Sequence, residues 1–217
     1  MRVADVMPEE LGGEVNADDG DPAMTGTLRA GTQAGDEVRS ARLDLVLFSP
    51  ALMDAIVAGD RARAQALAPF GMPGDLFPGP PDTAEYYAFR RDQVRRDPSW
   101  APWSQRAIVL CERNVLVGAT TFHGPPGVND TGTPGAAELG YEVFESERGK
   151  GFATEAARAM IGWAHAAHGV THFNSGVAPD NAASLRVNAK LGFVATGQIV
   201  DGELIFELHV PPVSLER

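Results

Sequence analysis

The sequence AELGYEVFESERGKGFAT, residues 137–154, decides how the chain is interpreted. A strand-like run leads through a short acidic turn into the corner Gly149–Gly151, and an amphipathic helix is predicted from Thr154 to His168. The first N–H groups of a helix have no partner within the helix, and the helix dipole places partial positive charge beside them. The corner therefore predicts an anion site, which we interpret as a site for a pyrophosphate.

Three glycine-rich patterns compete for this corner. A P-loop requires Ser or Thr after Gly-Lys, but Gly149–Lys150 is followed by Gly151. A dinucleotide fingerprint requires a final glycine where Thr154 stands, and no βαβ unit opens the domain. The third pattern, Arg/Gln-x-x-Gly-x-Gly/Ala, is met by Arg148, Gly151 and Ala153. We therefore favour the third pattern.

Length and composition fit one folded domain with an acidic extension. Residues 1–41 are rich in acidic residues and contain no aromatic residue, so we predict a disordered tail before a domain at 42–217. The net charge of −11 argues against a nucleic-acid surface and suits a cationic partner or simple solubility. Cys111 is the only cysteine, no apolar run reaches about 18 residues, and no signal peptide is visible. A cytoplasmic protein without a membrane span is predicted.

Periodicity and turn residues predict a mixed α/β domain with helices packed on one layered sheet. Two hairpins are indicated by turn-compatible pairs, Arg113–Asn114 and Asp201–Gly202. Cys111 is expected in a core strand. The predicted strands are 43–47, 107–112, 115–123, 138–144, 171–178, 193–197 and 203–210, and the predicted helices are 50–67, 83–96, 154–168 and 179–191.

Two segments resemble the GNAT superfamily of acyl-CoA-dependent N-acetyltransferases. They are ELGYEVFESERGKGFATEA (138–156) and NAASLRVNAKLGF (181–193), and the likeness extends over roughly 42–210. The form Asn-x-x-Ser at 181–184 is similar to the branch that contains ribosomal-protein N-terminal acetyltransferases. The resemblance implies an α/β, GNAT-like mixed twisted sheet that is splayed at two central strands and flanked by helices. It also implies acetyl-CoA as co-substrate, an amine acceptor, no metal, and a monomer or homodimer.

In such a fold, acetyl-CoA would lie in a V-shaped gap between strands 138–144 and 171–178. Backbone N–H groups of the corner would hold the pyrophosphate, and the N–H of Val143 would polarise the thioester oxygen. The side chains of Arg148 and Lys150 would add phosphate contacts. Asn181 would orient the pantetheine amide, although it fits a helix cap equally well. The implied cofactor-binding residues are Val143, Arg148, Gly149, Lys150, Gly151, Phe152, Ala153, Thr154 and Asn181.

The implied reaction is direct attack of a primary amine on the thioester in a ternary complex, and it requires a base. At pH 7 deprotonation costs about 4.6 kcal/mol for a side-chain ammonium and about 1.4 kcal/mol for an α-amine. A protein N-terminal α-amine is therefore easier for the base to deprotonate than a side-chain amine. A small amine remains the other acceptor class. Glu138 is our candidate base, with Glu142 and His123 as alternatives.

The departing thiolate needs a proton, and here the sequence departs from the family pattern. Many GNAT enzymes carry a tyrosine at the position of Asn188, so we assign the acid role to Ser184, which also fits helix capping. Because the tyrosine is missing, a non-catalytic acyl-CoA-binding or sensor module is the alternative. His165, His168 and His172 lack partners at metal-ligand spacing. The candidate lining of the acceptor pocket is Phe70, Phe77, Tyr86, Trp100 and Trp103.

Overall fold

The computed structural model describes residues 37–73 and 83–212 of the chain. Within these ranges eight strands form one sheet, with five α-helices and two short 3₁₀ turns around it. The strands are β1 Val38–Arg39, β2 Leu43–Leu47, β3 Arg106–Leu110, β4 Val115–Phe122, β5 Ala137–Val143, β6 His172–Val177, β7 Val194–Val200 and β8 Glu203–His209. The helices are α1 Pro50–Val57, α2 Arg61–Leu67, α3 Thr83–Arg96, α4 Phe152–His168 and α5 Ala182–Leu191.

The sheet is splayed at its centre, as predicted. Its strand order is β1-β2-β3-β4-β5-β6-β8-β7, and every described pair is antiparallel except β5 with β6. In the described chain these two strands pair only at Ala137 with Phe173 and at Glu138 with Asn174. Beyond Glu138 they diverge, so their carboxyl-terminal halves border a V-shaped gap.

Hydrophobic clusters cover both faces of the sheet. One cluster packs α4 against alternate residues of the central strands, including Ile108, Leu139 and Phe173. The other packs α1 and α3 against the opposite face, through residues such as Val109 and Leu116. Because side chains alternate along a strand, β3 is buried on both faces and contributes to both clusters.

The predicted helix 50–67 is wrong in one respect, because it is divided into α1 and α2. Gly59 adopts a left-handed φ of +66° after α1, a conformation that glycine reaches without steric cost. Asp60 then caps α2 by accepting a hydrogen bond from the N–H of Arg63 at 3.0 Å. The helix 83–96 matches α3, and both hairpins are present.

The predicted boundary after residue 41 lies too far along the chain. Val38 pairs with Leu45 in the sheet and is 5% exposed, so ordered structure begins before Arg42. The remainder of the predicted tail, 1–36, lies outside the described residues. Cys111 is also not in a core strand, because β3 ends at Leu110 and the thiol is exposed in the following turn. No helix in 37–73 or 83–212 is long and apolar enough to cross a membrane.

Candidate active site

A cavity of about 250 Å³ opens where β5 and β6 diverge. Its walls come from β5, the second half of β6, the N-terminal end of α5 and the start of β8. Successive side chains of a strand point to opposite faces, so the cavity has polar groups on both faces of the sheet. The chemically relevant lining residues are His123, Glu138, Tyr141, Asn181, Ser184 and Glu203.

Glu138 is the buried acid of this cavity. Its side chain is 3% exposed, and Oε2 lies 3.5 Å from Nδ1 of His123. The same oxygen accepts a hydrogen bond from the backbone N–H of Asp130 at 2.6 Å. Burial raises the pKa of Glu138, and the Asp130 N–H and His123 offset part of that rise. A carboxylate with a raised pKa is a stronger base than an exposed glutamate, which suits proton abstraction from an amine.

The two alternative bases have different positions. His123 lines the cavity beside Glu138, and its Nδ1 is 3.6 Å from Oδ1 of Asp130. Glu142 pairs with Ala119 further along β5, is exposed, and does not line the cavity. The structure therefore brings His123 and Glu138 together and leaves Glu142 apart from them.

Arg90, which the sequence did not single out, fixes the end of β4. Arg90 is 3% exposed as a residue, and burial lowers the pKa of its guanidinium. It donates hydrogen bonds to the main-chain oxygens of Trp103 at 3.1 Å, Phe122 at 2.7 Å and His123 at 2.8 Å. The side chain thus ties α3 to the backbone beside Glu138. Arg90 lies in a helix whose sequence is largely polar, so the sequence alone does not indicate that this arginine is buried.

Tyr141 and Ser184 face each other on the opposite side of the sheet from Glu138. Tyr141 follows Glu138 by an odd number of residues in β5, so its side chain leaves the other face. Its hydroxyl is buried and makes no well-formed hydrogen bond within the described residues. Burial raises the pKa of Tyr141, and an interaction with Ser184 offsets part of the rise. The alternation along β5 is the sequence signal that could have identified Tyr141.

Asn181 and Asn188 fix α5 at two points, its N-terminal cap and its second half. Asn181 caps the helix, because its Oδ1 accepts the N–H of Ser184 at 3.1 Å. Asn188 is 1% exposed and donates from Nδ2 to Oγ of Ser175 at 3.3 Å. The asparagine at the position of the family tyrosine therefore packs α5 against β6.

Glu203, the first residue of β8, is a second carboxylate of the cavity that the sequence did not reveal. Burial is the largest cause of the raised pKa of Glu138, and the nearby charge of Glu203 raises that pKa further. Gly176 lies across from it, and a Cβ there would collide with the Glu203 carboxylate. A glycine at 176 thus leaves the room that Glu203 occupies.

The corner before α4 has the backbone shape that the glycines predict. Gly149 and Gly151 have φ values of +76° and +82°, in the left-handed region that favours glycine. Gly151 is the N-cap residue and offers no side chain, so α4 begins at Phe152, earlier than predicted. The N–H groups of Phe152, Ala153 and Thr154 have no acceptor within the helix and remain available to an anion.

The charged side chains of the corner already have partners within the chain. Arg148 donates from Nε to the main-chain oxygen of Val143 at 3.0 Å. Lys150 donates from Nζ to Oε2 of Glu147 at 2.8 Å. Contact of either side chain with a phosphate would require these bonds to open. Arg42 adds a third cation, donating from Nη2 to the main-chain oxygen of Lys150 at 3.1 Å.

The N–H of Val143 points toward the gap. In an antiparallel pair the N–H and C=O of one residue face the same neighbour. Glu138 faces β4, because its oxygen accepts the N–H of His123 at 2.9 Å, and Phe144 faces β4 through Val117 at 3.0 Å. The odd-numbered residues of β5, including Val143, therefore direct their backbone N–H and C=O groups toward β6. At the level of Val143 the strand β6 has already diverged, so the N–H of Val143 points into the gap.

Several aromatic and histidine side chains serve packing. Phe70 is buried and stacks on Phe48, and Trp103 is buried against Phe122, so neither fits the predicted lining of an acceptor pocket. Phe77 lies outside the described residues. Nδ1 of His165 is 2.9 Å from the main-chain oxygen of Val170.

The chain belongs to the GNAT acetyltransferase family, whose domain model, described as acetyltransferase (GNAT) domain, matches residues 42–194. It is 34% identical over 87 residues to the uncharacterized N-acetyltransferase YjdG of Bacillus subtilis, a match over 40% of this chain and 49% of that protein. It is 28% identical over 97 residues to the uncharacterized N-acetyltransferase p20 of Bacillus licheniformis, over 45% and 52% of the two chains. The chain thus spans about half the length of the curated relatives it matches.

Solved structures share the fold. An acetyltransferase from Agrobacterium tumefaciens aligns over 80% of this chain and 94% of its own, with 21% identity and a TM-score of 0.54. The ribosomal-protein-S5-alanine acetyltransferase from Vibrio fischeri aligns over 80% and 96%, with 16% identity and a TM-score of 0.52. MccE, a microcin C7 self-immunity acetyltransferase solved with acetyl-CoA and AMP, aligns over 79% and 94%, with 14% identity and a TM-score of 0.52. At these identities the likeness concerns the fold.

Proposed function

We propose that the protein transfers acetyl from acetyl-CoA to a primary amine by direct attack in a ternary complex. The observation that carries this proposal is one cavity in the gap of the sheet with a buried carboxylate on one face and a hydroxyl pair on the other. Glu138 supplies the carboxylate, and Tyr141 with Ser184 supplies the hydroxyls. A base and an acid on opposite sides of one gap suit a reaction that removes protons from nitrogen and returns one to sulfur.

The backbone carries acetyl-CoA in this proposal. The pyrophosphate lies on the N–H groups of Phe152, Ala153 and Thr154 at the start of α4. The pantetheine arm follows the gap, and the Asn181 side chain offers its Nδ2 to an amide carbonyl, because its Oδ1 is occupied by the cap. The N–H of Val143 donates to the thioester oxygen and stabilises the negative charge that develops there.

Glu138 takes a proton from the ammonium form of the acceptor, directly or through water. The neutral nitrogen attacks the carbonyl carbon, and the C–S bond breaks as the tetrahedral intermediate collapses. The thiolate receives a proton from the Ser184 hydroxyl, which lies beside Tyr141 on that face. The second proton of the attacking nitrogen passes through water to the Ser184 oxygen, and Glu138 then releases its own proton. Overall, an ammonium and a thioester become an amide, a thiol and one proton released to solvent.

Two acceptor classes fit this site, a protein N-terminal α-amine and a small amine. Glu203 and Asp130 add negative charge beside the base Glu138, so a cationic acceptor is attracted to it. One structural neighbour is a ribosomal-protein-S5-alanine acetyltransferase, which favours including N-terminal peptides in the test. Cys111 is exposed and is the only cysteine, which fits the proposed cytoplasmic setting.

The test is release of free thiol from acetyl-CoA in the presence of a panel of N-terminal peptides and small amines. Thiol release that depends on one acceptor class, with a matching gain of one acetyl group in the acceptor mass, supports the transferase and names the class. The competing function is a sensor that binds acyl-CoA without turnover. Tight binding of CoA with no thiol release from any acceptor would establish that alternative.

A further inference from the structure

Three potential metal ligands meet at the far end of β6 and β8. His172 pairs with His209 in the register of these antiparallel strands, and Asn174 pairs with Glu207. Residues two apart share a face of a strand, so Glu207 and His209 point to the same side as His172. The two imidazole rings stack with centroids 4.1 Å apart and planes inclined by 27°.

The potential ligand atoms lie close to one another. Nε2 of His172 is 3.6 Å from Oε1 of Glu207, and Nε2 of His209 is 3.6 Å from Oε2 of the same carboxylate. All three ligand atoms lie within 4.8 Å of one another. The N···O distances are too long for hydrogen bonds. Two ligand atoms on a tetrahedral zinc ion, each about 2.0–2.1 Å from the metal, are about 3.4 Å apart. The separations therefore match a shared ion better than a direct bond.

The two imidazoles approach the Glu207 carboxylate at ion-pair distance, 3.6 Å in each case. Nε2 of His172 is buried and has no hydrogen-bond partner in the described chain. The side chains of His172 and Glu207 are 19% and 32% exposed, whereas that of His209 is 68% exposed. The site thus has a buried inner ligand and an open outer side through which an ion can enter.

We propose that His172, Glu207 and His209 bind a divalent transition-metal ion such as Zn²⁺. Two imidazoles and one carboxylate suit zinc, nickel and copper better than the oxygen-seeking magnesium or calcium. Three protein ligands leave at least one coordination position for water. The ion joins β6 to β8 beside the residues where β6 pairs with β5, so it stabilises the closed end of the gap. This binding is separate from acetyl transfer and does not depend on it.

A second cluster, His123 with Asp130 and Glu138, is the competitor for the ion. It offers only one imidazole, and Oε2 of Glu138 is already engaged by the Asp130 N–H at 2.6 Å. Zinc affinity falls when a ligand atom must first give up a hydrogen bond. We therefore assign the tighter site to the β6–β8 cluster and use His123 as the discriminating position.

The test is titration of the full chain, free of added histidine tags, with zinc chloride in competition with a chromophoric chelator. One ion per chain should bind, and thermal unfolding should shift to higher temperature with zinc. His172→Ala and His209→Ala should each weaken binding by more than about tenfold, since even loss of a group that only orients a ligand costs about 10–100-fold. His209 is exposed, so His209→Ala is expected to fold and keeps the test valid if His172→Ala does not.

Two matched controls locate the ion. Cys111→Ser removes an exposed thiol elsewhere on the surface and should leave zinc binding unchanged. His123→Ala should also leave it unchanged. Zinc binding that is lost in His123→Ala and kept in His209→Ala would overturn the proposal, as would unchanged affinity in both variants of the β6–β8 cluster. Because the readout is metal binding, a failed acceptor panel has no bearing on it.

Discussion

Arg42 and Glu155, separated by 113 residues in the sequence, form an ion pair in which Nη2 lies 2.6 Å from Oε2. The backbone N–H of Arg42 also donates to Oε1 of Glu155 at 2.9 Å. The guanidinium lies over the ring of Phe152, 4.8 Å from its centroid. These contacts join the turn between β1 and β2 to the first turn of α4. The segment before β2 therefore braces the corner at which we expect the pyrophosphate to bind.

We expect Arg42→Ala to raise the KM for acetyl-CoA about 3- to 10-fold with little change in kcat, because the corner loses both its brace and a nearby positive charge. The Arg42 side chain is 48% exposed, so the pair contributes about 1 kcal/mol to stability. For a chain of this length that corresponds to a Tm lower by about 2–4 °C. Initial-rate kinetics and thermal unfolding measure the two effects.

Arg39→Ala is the matched control for this prediction. Arg39 lies in the same hairpin, is 65% exposed, and pairs with Asp44 at 3.2 Å, away from α4. Its removal should change stability by less than about 0.5 kcal/mol and leave the KM for acetyl-CoA unaltered. Equal effects of the two variants would show that Arg42 acts only through overall charge.

The parts of the fold that depend on local pattern could be predicted from sequence. Gly149 and Gly151 indicate that a helix starts after the corner, and turn-forming residues indicate both hairpins. The splay of the sheet followed from the resemblance of two segments to one family. The division between α1 and α2 is not evident from the sequence, because a helix can accommodate an isolated glycine such as Gly59.

Features that depend on contacts between distant segments could not be predicted. β1 is a two-residue strand in an acidic segment, and only its pairing with β2 gives it order. The Arg42–Glu155 pair and the cluster of His172 with Glu207 and His209 depend on tertiary placement and on strand register. Tyr141 is different, since alternation along β5 would have been enough to place it on the face opposite Glu138, although it is not among the site residues that the sequence predicts.

Glu138→Gln should lower kcat by at least about 100-fold, the usual contribution of a general base. The amide keeps an oxygen that can accept the Asp130 N–H, so the loss reports the missing proton acceptor. Glu142→Gln is the control on the same strand, and it should retain at least half of the activity. Acetylation rates measured with the preferred acceptor of the panel decide between them, and the reverse pattern would transfer the base role to Glu142.

The same Glu138→Gln variant should be more stable than the wild type at neutral pH. Burial raises the folded-state pKa of Glu138 above its ordinary value of 4.5. Such a group stabilises the fold fully below the unfolded pKa and loses that contribution as pH rises through the folded pKa. The variant should therefore match the wild-type Tm near pH 4 and have a higher Tm than the wild type at pH 8. A Tm difference that does not change with pH would contradict a charge-based cause.

Tyr141 and Ser184 should act as one unit in protonating the thiolate. We expect Ser184→Ala to lower kcat about 10- to 100-fold and Tyr141→Phe about tenfold, with the KM for acetyl-CoA nearly unchanged. The double variant should be no slower than Ser184→Ala alone, since groups that act together give non-additive losses. The Tyr141 hydroxyl has no well-formed hydrogen bond to any residue of 37–73 or 83–212, so Tyr141→Phe should not lower the Tm. An unchanged Tm separates a catalytic defect from unfolding. A double-mutant cycle on kcat measures the coupling, and losses that multiply would show that the two hydroxyls act independently.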